Sequence, residues 1–179
     1  AQRRQVRELL RRDAQRWRAR LRGHGLRTRT PGRFAACAAD GGGYTWSGNS
    51  RENQITPWSN DAVSNAPGEA VYVRDLDSGA VISPTLKPMN SPHGTHLSRH
   101  GFGYSVFERE ADELKLELMQ TAHLTQAVKY SRLRITNRSK VRRRLTVTFY
   151  AEWVLGAARA ANAAFITTAI DGKTGAMFV

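Results

Sequence analysis

The sequence predicts a mainly β fold, an antiparallel two-sheet sandwich preceded by one N-terminal α-helix. From Tyr44 onward, short runs of β-branched and aromatic residues are separated by Pro, Gly, Asn and Asp at intervals of roughly eight to twelve residues, which is typical of sandwiches and barrels. Before Tyr44, apolar residues recur at helical spacing instead. The chain has 179 residues, 40% of them hydrophobic, which is enough for one domain with its own core and excludes a disordered chain.

Residues 1–26 predict a basic amphipathic helix with an apolar stripe opposite an arginine-rich face. The stripe consists of Val6, Leu10, Ala14, Trp17 and Leu21. Residues 1–33 hold twelve arginines and two carboxylates, so they carry +10 of the formal net charge of +13. Such a helix can bind the phosphates of a nucleic acid or an anionic membrane surface. It can equally pack its stripe on the sandwich or on a second chain and leave its arginines in water.

The remaining chain divides into a linker or irregular lead-in over 27–43 and a β-sandwich domain over 44–179. The lead-in is rich in small and turn-forming residues and ends in three glycines. The last predicted strand ends at Val179, so we expect the domain to be truncated at its C-terminus. The single cysteine, Cys37, cannot form an internal disulfide, and the sequence has neither a run of about 18 apolar residues nor the apolar stretch of a secretion signal. These features predict a cytoplasmic location.

Alternation of apolar and polar residues predicts the individual strands. The strongest alternation runs over 145–155, and a strand over 128–135 precedes it across turn-forming residues, so the two predict a hairpin. Leucines at alternate positions of 114–118 predict the strand before that pair. Turn formers inside 69–83 and 165–179 predict two further hairpins.

The segment 44–61 combines three aromatic residues, three asparagines, one arginine and two carboxylates, with few aliphatic residues to bury. This mixture suits a sugar-binding surface, because aromatic faces stack on the C–H faces of pyranose rings and polar side chains hydrogen-bond to hydroxyls. The predicted carbohydrate-binding residues are Trp46, Asn49, Arg51, Asn53, Trp58, Asn60 and Asp61. The alternative is that Trp46 and Trp58 are core residues and that the polar residues cap turns.

Three histidines, His93, His96 and His100, stand within eight residues and could form a zinc site with an open position. No cysteine or carboxylate completes a typical ligand set, so a turn is the simpler interpretation and no metal is expected. The sequence also lacks a phosphate-binding glycine loop and the GxSxG and HExxH motifs, and no residue is predicted to be catalytic.

Three stretches closely resemble the N-terminal β-sandwich domain of glycoside hydrolase family 94, formerly called glycosyltransferase family 36. They are GGYTWSGNSRENQITPWSNDAVSNAPGEAVYVRDLDSGAVISPT, RHGFGYSVFE, and SRLRITNRS with RRLTVTFYAEWVLG. The form NSRENQITPWSND followed by PGEAVYVRD is most similar to the phosphorylase-type region of bacterial cyclic β-1,2-glucan synthases and to β-1,2-oligoglucan phosphorylases. The resemblance covers roughly residues 42–179, and neither the arginine-rich helix nor residues 27–40 match the family pattern.

The resemblance implies a mutarotase-like supersandwich that, in relatives, precedes an (α/α)₆ barrel. In relatives the catalytic acid lies in that barrel and protonates the glycosidic oxygen while inorganic phosphate attacks the anomeric carbon. No residue here matches that acid, so the resemblance implies a domain that is inactive alone and needs no cofactor, with phosphate a co-substrate only of the full-length enzyme.

The resemblance also implies which partners the domain has and where it acts. The implied partners are a β-glucan or gluco-oligosaccharide, the (α/α)₆ barrel and a second copy in a homodimer, with no specific nucleic acid. The implied location is the cytoplasm or the cytoplasmic face of a membrane-bound synthase.

Overall fold

The computed structural model describes residues 26–27, 33–37, 40–58, 66–123 and 126–179. These residues form a mainly β fold, as the sequence predicts. The strands are β1 (Leu26–Arg27), β2 (Arg33–Cys37), β3 (Gly43–Ser47), β4 (Glu69–Asp75), β5 (Val81–Ile82), β6 (Thr95–Gly101), β7 (Tyr104–Ala111), β8 (Leu114–Ala122), β9 (Lys129–Asn137), β10 (Leu145–Ala151), β11 (Ala169–Ile170) and β12 (Met177–Phe178). A short helix, α1 (Arg159–Asn162), leads into a 3₁₀ turn over Ala163–Phe165. The predicted N-terminal helix lies outside the described residues, except for Leu26 in β1.

Two antiparallel sheets form the layers of the sandwich. One layer has the order β6-β7-β8-β9, and the other has the order β10-β4-β5. Alternate side chains of β4 and β8 point between the layers and bury their apolar surface there, which stabilises the sandwich. The core forms two clusters that Leu133 of β9 joins. Their buried members are Val71, Phe107 and Leu118 in one, and Val73, Ile82, Leu114 and Leu116 in the other.

A third, smaller sheet has the order β1-β2-β3. The composition of 27–43 predicts an irregular lead-in, but the structure places β2 within it, in register with β3 from Arg33 opposite Ser47 to Cys37 opposite Gly43. Small residues do not prevent a strand when its neighbour supplies the backbone hydrogen bonds, because strand preference depends strongly on context. Single bridges from Trp46 to Gln54 and from Gln54 to Gly156 continue the pairing beyond β3.

The prediction that 128–135 and 145–155 pair with each other as a hairpin is wrong. β9 pairs with β8 and β10 pairs with β4, so the connection between them crosses from one layer to the other. Within this connection, Arg143 Nη1 lies 3.1 Å from Asp75 Oδ2 and Arg143 Nη2 lies 3.4 Å from Glu113 Oε2. Asp75 ends β4 and Glu113 lies in the turn between β7 and β8, so this one arginine joins the ends of both layers. These contacts favour a crossing over a simple turn.

The other local predictions have mixed outcomes. The hairpin over 69–83 is confirmed as β4 and β5, and β11 pairs with β12 inside 165–179. The predicted strand from residue 165 is shorter, because the alanine-rich stretch before it forms α1 and the 3₁₀ turn, in keeping with the high helix propensity of alanine. The histidine segment interpreted as a turn contains β6. Within the described residues, no helix combines the length and apolar character needed to cross a membrane.

Candidate functional site

An open cleft of about 430 Å³ lies between the two layers, on the side where β9 and β10 are the outermost strands. Its apolar walls include Leu133, Val147, Phe149 and Trp153. Val147 and Phe149 belong to the inward-facing side of β10, yet they remain 53% and 52% exposed. They are exposed because, among the described residues, no further strand extends either layer on this side. The cleft therefore presents an apolar surface that the described part of the sandwich leaves uncovered.

A hydrogen-bonded carboxylate lies at one end of the cleft. Glu69 Oε1 accepts hydrogen bonds from Thr45 Oγ1 at 2.5 Å and Thr56 Oγ1 at 2.8 Å, and Lys129 Nζ donates to Glu69 Oε2 at 2.5 Å. Lys129 Nζ also donates to Thr45 Oγ1 at 3.0 Å, and the backbone N–H of Thr45 donates to Thr56 Oγ1 at 2.8 Å. We call these four residues the Glu69 network. It joins β3, β4, β9 and the segment after β3 through one largely buried ion pair, in which the side chains of Lys129 and Glu69 are 18% and 10% exposed.

The environment of Glu69 lowers the pKa of its carboxyl group below its ordinary value of 4.5. Burial by itself raises this pKa, but the charge and hydrogen bond of Lys129 and the hydroxyls of Thr45 and Thr56 together lower it. Glu69 is therefore ionised at neutral pH and acts as an acceptor. It is not placed to act as a proton donor.

The structure places Trp46 in the core. Its side chain is 5% exposed and stacks on Tyr44 with ring centroids 4.5 Å apart, so it offers no free face to a sugar. The prediction of Trp46 as a carbohydrate-facing residue is corrected on this point. Trp46 is buried because side chains alternate along β3, and Tyr44 and Trp46 lie on its buried side. Thr45 lies on the other side, where it hydrogen-bonds to Glu69.

Asn49 and Asn53 shape the turn that follows β3. Asn49 Oδ1 accepts from the backbone N–H groups of Arg51 and Glu52 at 2.8 and 3.1 Å, and Asn53 Nδ2 donates to the carbonyl of Ser47 at 2.9 Å. Both side chains therefore have roles in local structure, which was the alternative left open for the polar residues of this segment.

Asn49, Asn53, Arg51 and Trp58 are exposed, and of these Trp58 and Arg51 are the two whose side chains do not shape the turn. Trp58 is 45% exposed and packs edge-on against Tyr44, with ring centroids 4.4 Å apart. The side chain of Arg51 is 90% exposed and forms a solvent-facing pair with Glu52. Asn60 and Asp61 lie outside the described residues.

The three histidines do not converge as zinc ligands. Arg109 Nη1 donates to His96 Nε2 at 2.8 Å, and Arg109 Nη2 donates to the backbone carbonyl of His93 at 2.8 Å. The ring of His100 instead contacts Ser105 Oγ at 2.9 Å. Burial and the charge of Arg109 lower the pKa of His96, which fits a neutral acceptor ring. In the described part of the chain, no group of three or more His, Cys, Asp or Glu residues is arranged to hold a metal ion.

The Glu69 network is not among the predicted sites, although the sequence of its members carries a detectable signal. Glu69 alternates with Val71 and Val73 on β4, and Lys129 alternates with Leu133 on β9. A charged residue in line with the apolar side of a strand points toward the core, where it needs an opposite charge. One such acid and one such base predict an internal ion pair, but only the structure shows that they meet.

One family model and two known proteins match parts of this chain. The family model described as the supersandwich domain of glycosyl hydrolase 94 matches residues 31–179. The chain is similar to the cyclic beta-(1,2)-glucan synthase NdvB of Rhizobium meliloti (strain 1021), with 48% identity over 134 residues, which is 75% of this chain and 5% of that protein. It is also similar to the N,N'-diacetylchitobiose phosphorylase of Vibrio proteolyticus, with 33% identity over 69 residues, which is 37% of this chain and 9% of that protein.

The matches bear on the remaining hypotheses. The chain spans only a small part of the length of both relatives. The hypothesis of a nucleic-acid or anionic-membrane binding protein receives no support from them, and the helix on which it depends lies almost wholly outside the described residues.

Proposed function

Because this chain belongs to the glycosyl hydrolase 94 family as its supersandwich domain, we propose that it is the non-catalytic, carbohydrate-binding sandwich of a β-glucan-processing phosphorylase or cyclic β-1,2-glucan synthase. The observation that carries the proposal is the 48% identity to a cyclic beta-(1,2)-glucan synthase over three quarters of the chain. In this proposal the domain acts beside an (α/α)₆ barrel, in the cytoplasm or on the cytoplasmic face of a membrane-bound synthase.

The chemistry of the cleft supports a non-catalytic role. Cleavage of a glycosidic bond needs a carboxylic acid that is protonated at neutral pH, and such acids have a raised pKa. Among the described residues that line the cleft, Glu69 is the only carboxylate, and its pKa is lowered by Lys129 and two hydroxyls. Protonation of a glycosidic oxygen is therefore assigned to another part of the enzyme, and inorganic phosphate is a co-substrate there.

Trp58 and Arg51 support the carbohydrate-binding part of the proposal. An indole that is held edge-on by Tyr44 and still half exposed offers a rigid apolar surface of the kind that stacks on a pyranose ring. Arg51, on the turn shaped by Asn49, offers charged donors to sugar hydroxyls. The proposed contact surface is thus a subset of the residues singled out in the sequence.

Calorimetric titration of the full chain with β-1,2-gluco-oligosaccharides tests the binding function. We expect saturable binding that Trp58→Ala weakens about fivefold or more, because a stacking aromatic contributes on the order of 1 kcal/mol. Phe165→Ala is the matched control, since Phe165 is 85% exposed and lies outside this segment, and it should leave the affinity unchanged. If the unmodified chain does not bind the oligosaccharides, the carbohydrate-binding role is overturned. If Trp58→Ala lowers the melting temperature but leaves the affinity unchanged, Trp58 belongs to the core.

A separate assay tests the non-catalytic part. The chain is incubated with the same oligosaccharides and inorganic phosphate, and glucose 1-phosphate is measured. We expect none to form. Release in proportion to the protein concentration overturns this part of the proposal.

A further inference from the structure

Arg109 carries a buried positive charge on the core side of β7. Ser105, Phe107 and Arg109 alternate on that side, and Arg109 is only 2% exposed. Arg109 Nη1 donates to His96 Nε2 at 2.8 Å, and Arg109 Nη2 donates to the backbone carbonyl of His93 at 2.8 Å. A buried charge needs hydrogen-bonding partners, so these two contacts stabilise the position of Arg109.

The contact with Arg109 fixes the protonation state of His96. A guanidinium has no acceptor atom, so His96 Nε2 must accept and carries no proton. The ring also hydrogen-bonds to the backbone of Ser91. Since a neutral imidazole has one N–H group, that group is on Nδ1. Burial and then the charge of Arg109 lower the pKa of His96 below its ordinary value of 6.5, although the hydrogen bond to Ser91 opposes this.

These contacts hold the connection that joins the two layers. β5 belongs to one layer and β6 to the other, so residues 83–94 cross between them. Ser91 and His93 lie at the end of this connection next to β6, where residues 92–94 are exposed. Farther back, Lys87 N donates to the carbonyl of Asp40 at 2.9 Å, and Lys87 Nζ lies 3.3 Å from Asp40 Oδ2. The connection is therefore held near β6 by contacts that involve a histidine, and farther back by contacts that do not.

We propose that His96 and Arg109 form an acid-sensitive latch, which holds the end of this connection to the hairpin of β6 and β7 at neutral pH and opens when His96 is protonated. An imidazolium has a proton on both nitrogens, so Nε2 can no longer accept from Arg109. Protonation also places a second positive charge beside the guanidinium, in a site that solvent screens weakly. Both effects favour an open arrangement in which the ring of His96 and residues 91–94 turn toward water. The latch goes beyond the proposed function and does not depend on glucan binding.

The charged and titratable neighbours of the latch lie in the connection, in β6 and in the turn after β7. His93 is exposed, and its carbonyl rather than its ring contacts Arg109. His100 lies farther along the same side of β6 and contacts Ser105 Oγ at 2.9 Å. Burial lowers the pKa of Arg109 and the charge of Asp112 opposes this, but a guanidinium stays charged throughout this pH range. Because Asp112 is exposed, it offsets little of the repulsion between a protonated His96 and Arg109.

The latch weakens over a defined pH range. In the open form the ring of His96 is in water and has a pKa near the ordinary 6.5, whereas the closed form has a lower pKa. Closure is therefore fully favourable above about pH 6.5, and it weakens as the pH falls from that value through the pKa of the closed form. At about pH 5.5, one unit below the ordinary pKa, the open population rises by up to about tenfold.

Hydrogen exchange of the full chain, followed by mass spectrometry at about pH 7.5 and about pH 5.5, tests the latch. After correction for intrinsic rates, the amides of residues 88–98 should exchange roughly three- to tenfold faster in acid. The strand β8 is the internal control, because it lies between β7 and β9, and its corrected rates should not change. Equal corrected rates for residues 88–98 at the two pH values overturn the proposal.

His96→Gln tests whether His96 is the group that responds to acid. Glutamine has an amide oxygen that can accept from Arg109 but cannot be protonated in this pH range, so the response of residues 88–98 should disappear. His100→Gln is the matched control, because His100 lies on the same side of β6 and burial lowers its pKa as well. This control should keep the response. A response that survives in His96→Gln, or that disappears in His100→Gln, overturns the proposal.

Two-bond ¹H–¹⁵N spectra of the unmodified chain test the latch without a substitution. At neutral pH the ring of His96 should carry its proton on Nδ1 and none on Nε2, and it should titrate below pH 6.5. A proton on Nε2 at neutral pH, or a titration midpoint at or above 6.5, contradicts the latch.

Discussion

Glu69 is a single carboxylate at which three parts of the fold meet. Its oxygens accept from Thr45 and Thr56 around β3 and from Lys129 of β9, while its own backbone belongs to β4. A buried charge is tolerated only when it is paired and hydrogen-bonded, and here both carboxylate oxygens are occupied. The Glu69 network therefore fixes the position of β3 relative to the two layers.

We predict that Glu69→Gln lowers the free energy of unfolding by about 2–4 kcal/mol at neutral pH, because it leaves Lys129 without an opposite charge. The folded-state pKa of Glu69 lies below its ordinary value of 4.5. Its contribution is therefore complete above that value and is lost as the pH falls through the folded-state pKa. Urea denaturation at neutral and acid pH should show the difference between the two proteins shrinking in acid.

Glu110→Gln is the matched control for this substitution. Glu110 pairs with Arg138 at 2.9 Å, but the two side chains are 41% and 52% exposed. An exposed pair contributes less than about 1 kcal/mol. An equal loss in both variants, or a Glu69 effect that does not change with pH, contradicts the role assigned to Glu69.

At the scale of one element, the hairpin of β6 and β7 requires a glycine at position 94, because the backbone there lies close to β7. Gly94 precedes β6 with a φ of +83°, and a Cβ placed there lies 2.2 Å from the carbonyl oxygen of Glu110 and 2.9 Å from the Cβ of Ala111. These atoms belong to β7, so they cannot move without shifting the strand pair.

We predict that Gly94→Ala destabilises the fold by about 2–4 kcal/mol, which combines the left-handed backbone cost of roughly 1–2 kcal/mol with the clash against backbone. Gly79→Ala is the control, because Gly79 has a similar φ of +75° but no atom within 4 Å of an added Cβ. It should cost only the backbone term. Urea denaturation of both variants measures the difference, and equal losses refute the steric argument.

The strands β9 and β10 show why the pairing of strands is hard to predict from the sequence. Both strands are visible from their alternation, and turn-forming residues separate them, so a hairpin is the natural prediction. Alternation states which side of a strand is apolar, but it does not state which strand lies beside it. The crossing connection contains Arg143, which contacts Asp75 and Glu113, two residues that are distant from it in sequence.

At the scale of the whole molecule, stability depends on burial between the two layers. Leu116 of β8 is fully buried in the cluster with Val73, whereas Leu97 of β6 lies on the outer side of the same sheet and is 44% exposed. Two leucines of one sheet thus lie in opposite environments.

We predict that Leu116→Ala costs about 2–5 kcal/mol, through lost burial and the cavity left between the layers. Leu97→Ala should cost under about 1 kcal/mol, because it removes few contacts. Chemical denaturation of the two variants measures both values. Similar losses contradict the assignment of the core to the inner sides of the sheets.

The sequence by itself determined the β class, most strands, the apolar side of several strands and the family, because alternation and local motifs are properties of neighbouring residues. Only the tertiary structure decided that Trp46 is buried, that Glu69 meets Lys129 and that β10 pairs with β4 rather than with β9. Each of these depends on residues far apart in the chain, and such pairings follow from how the layers pack rather than from local preference.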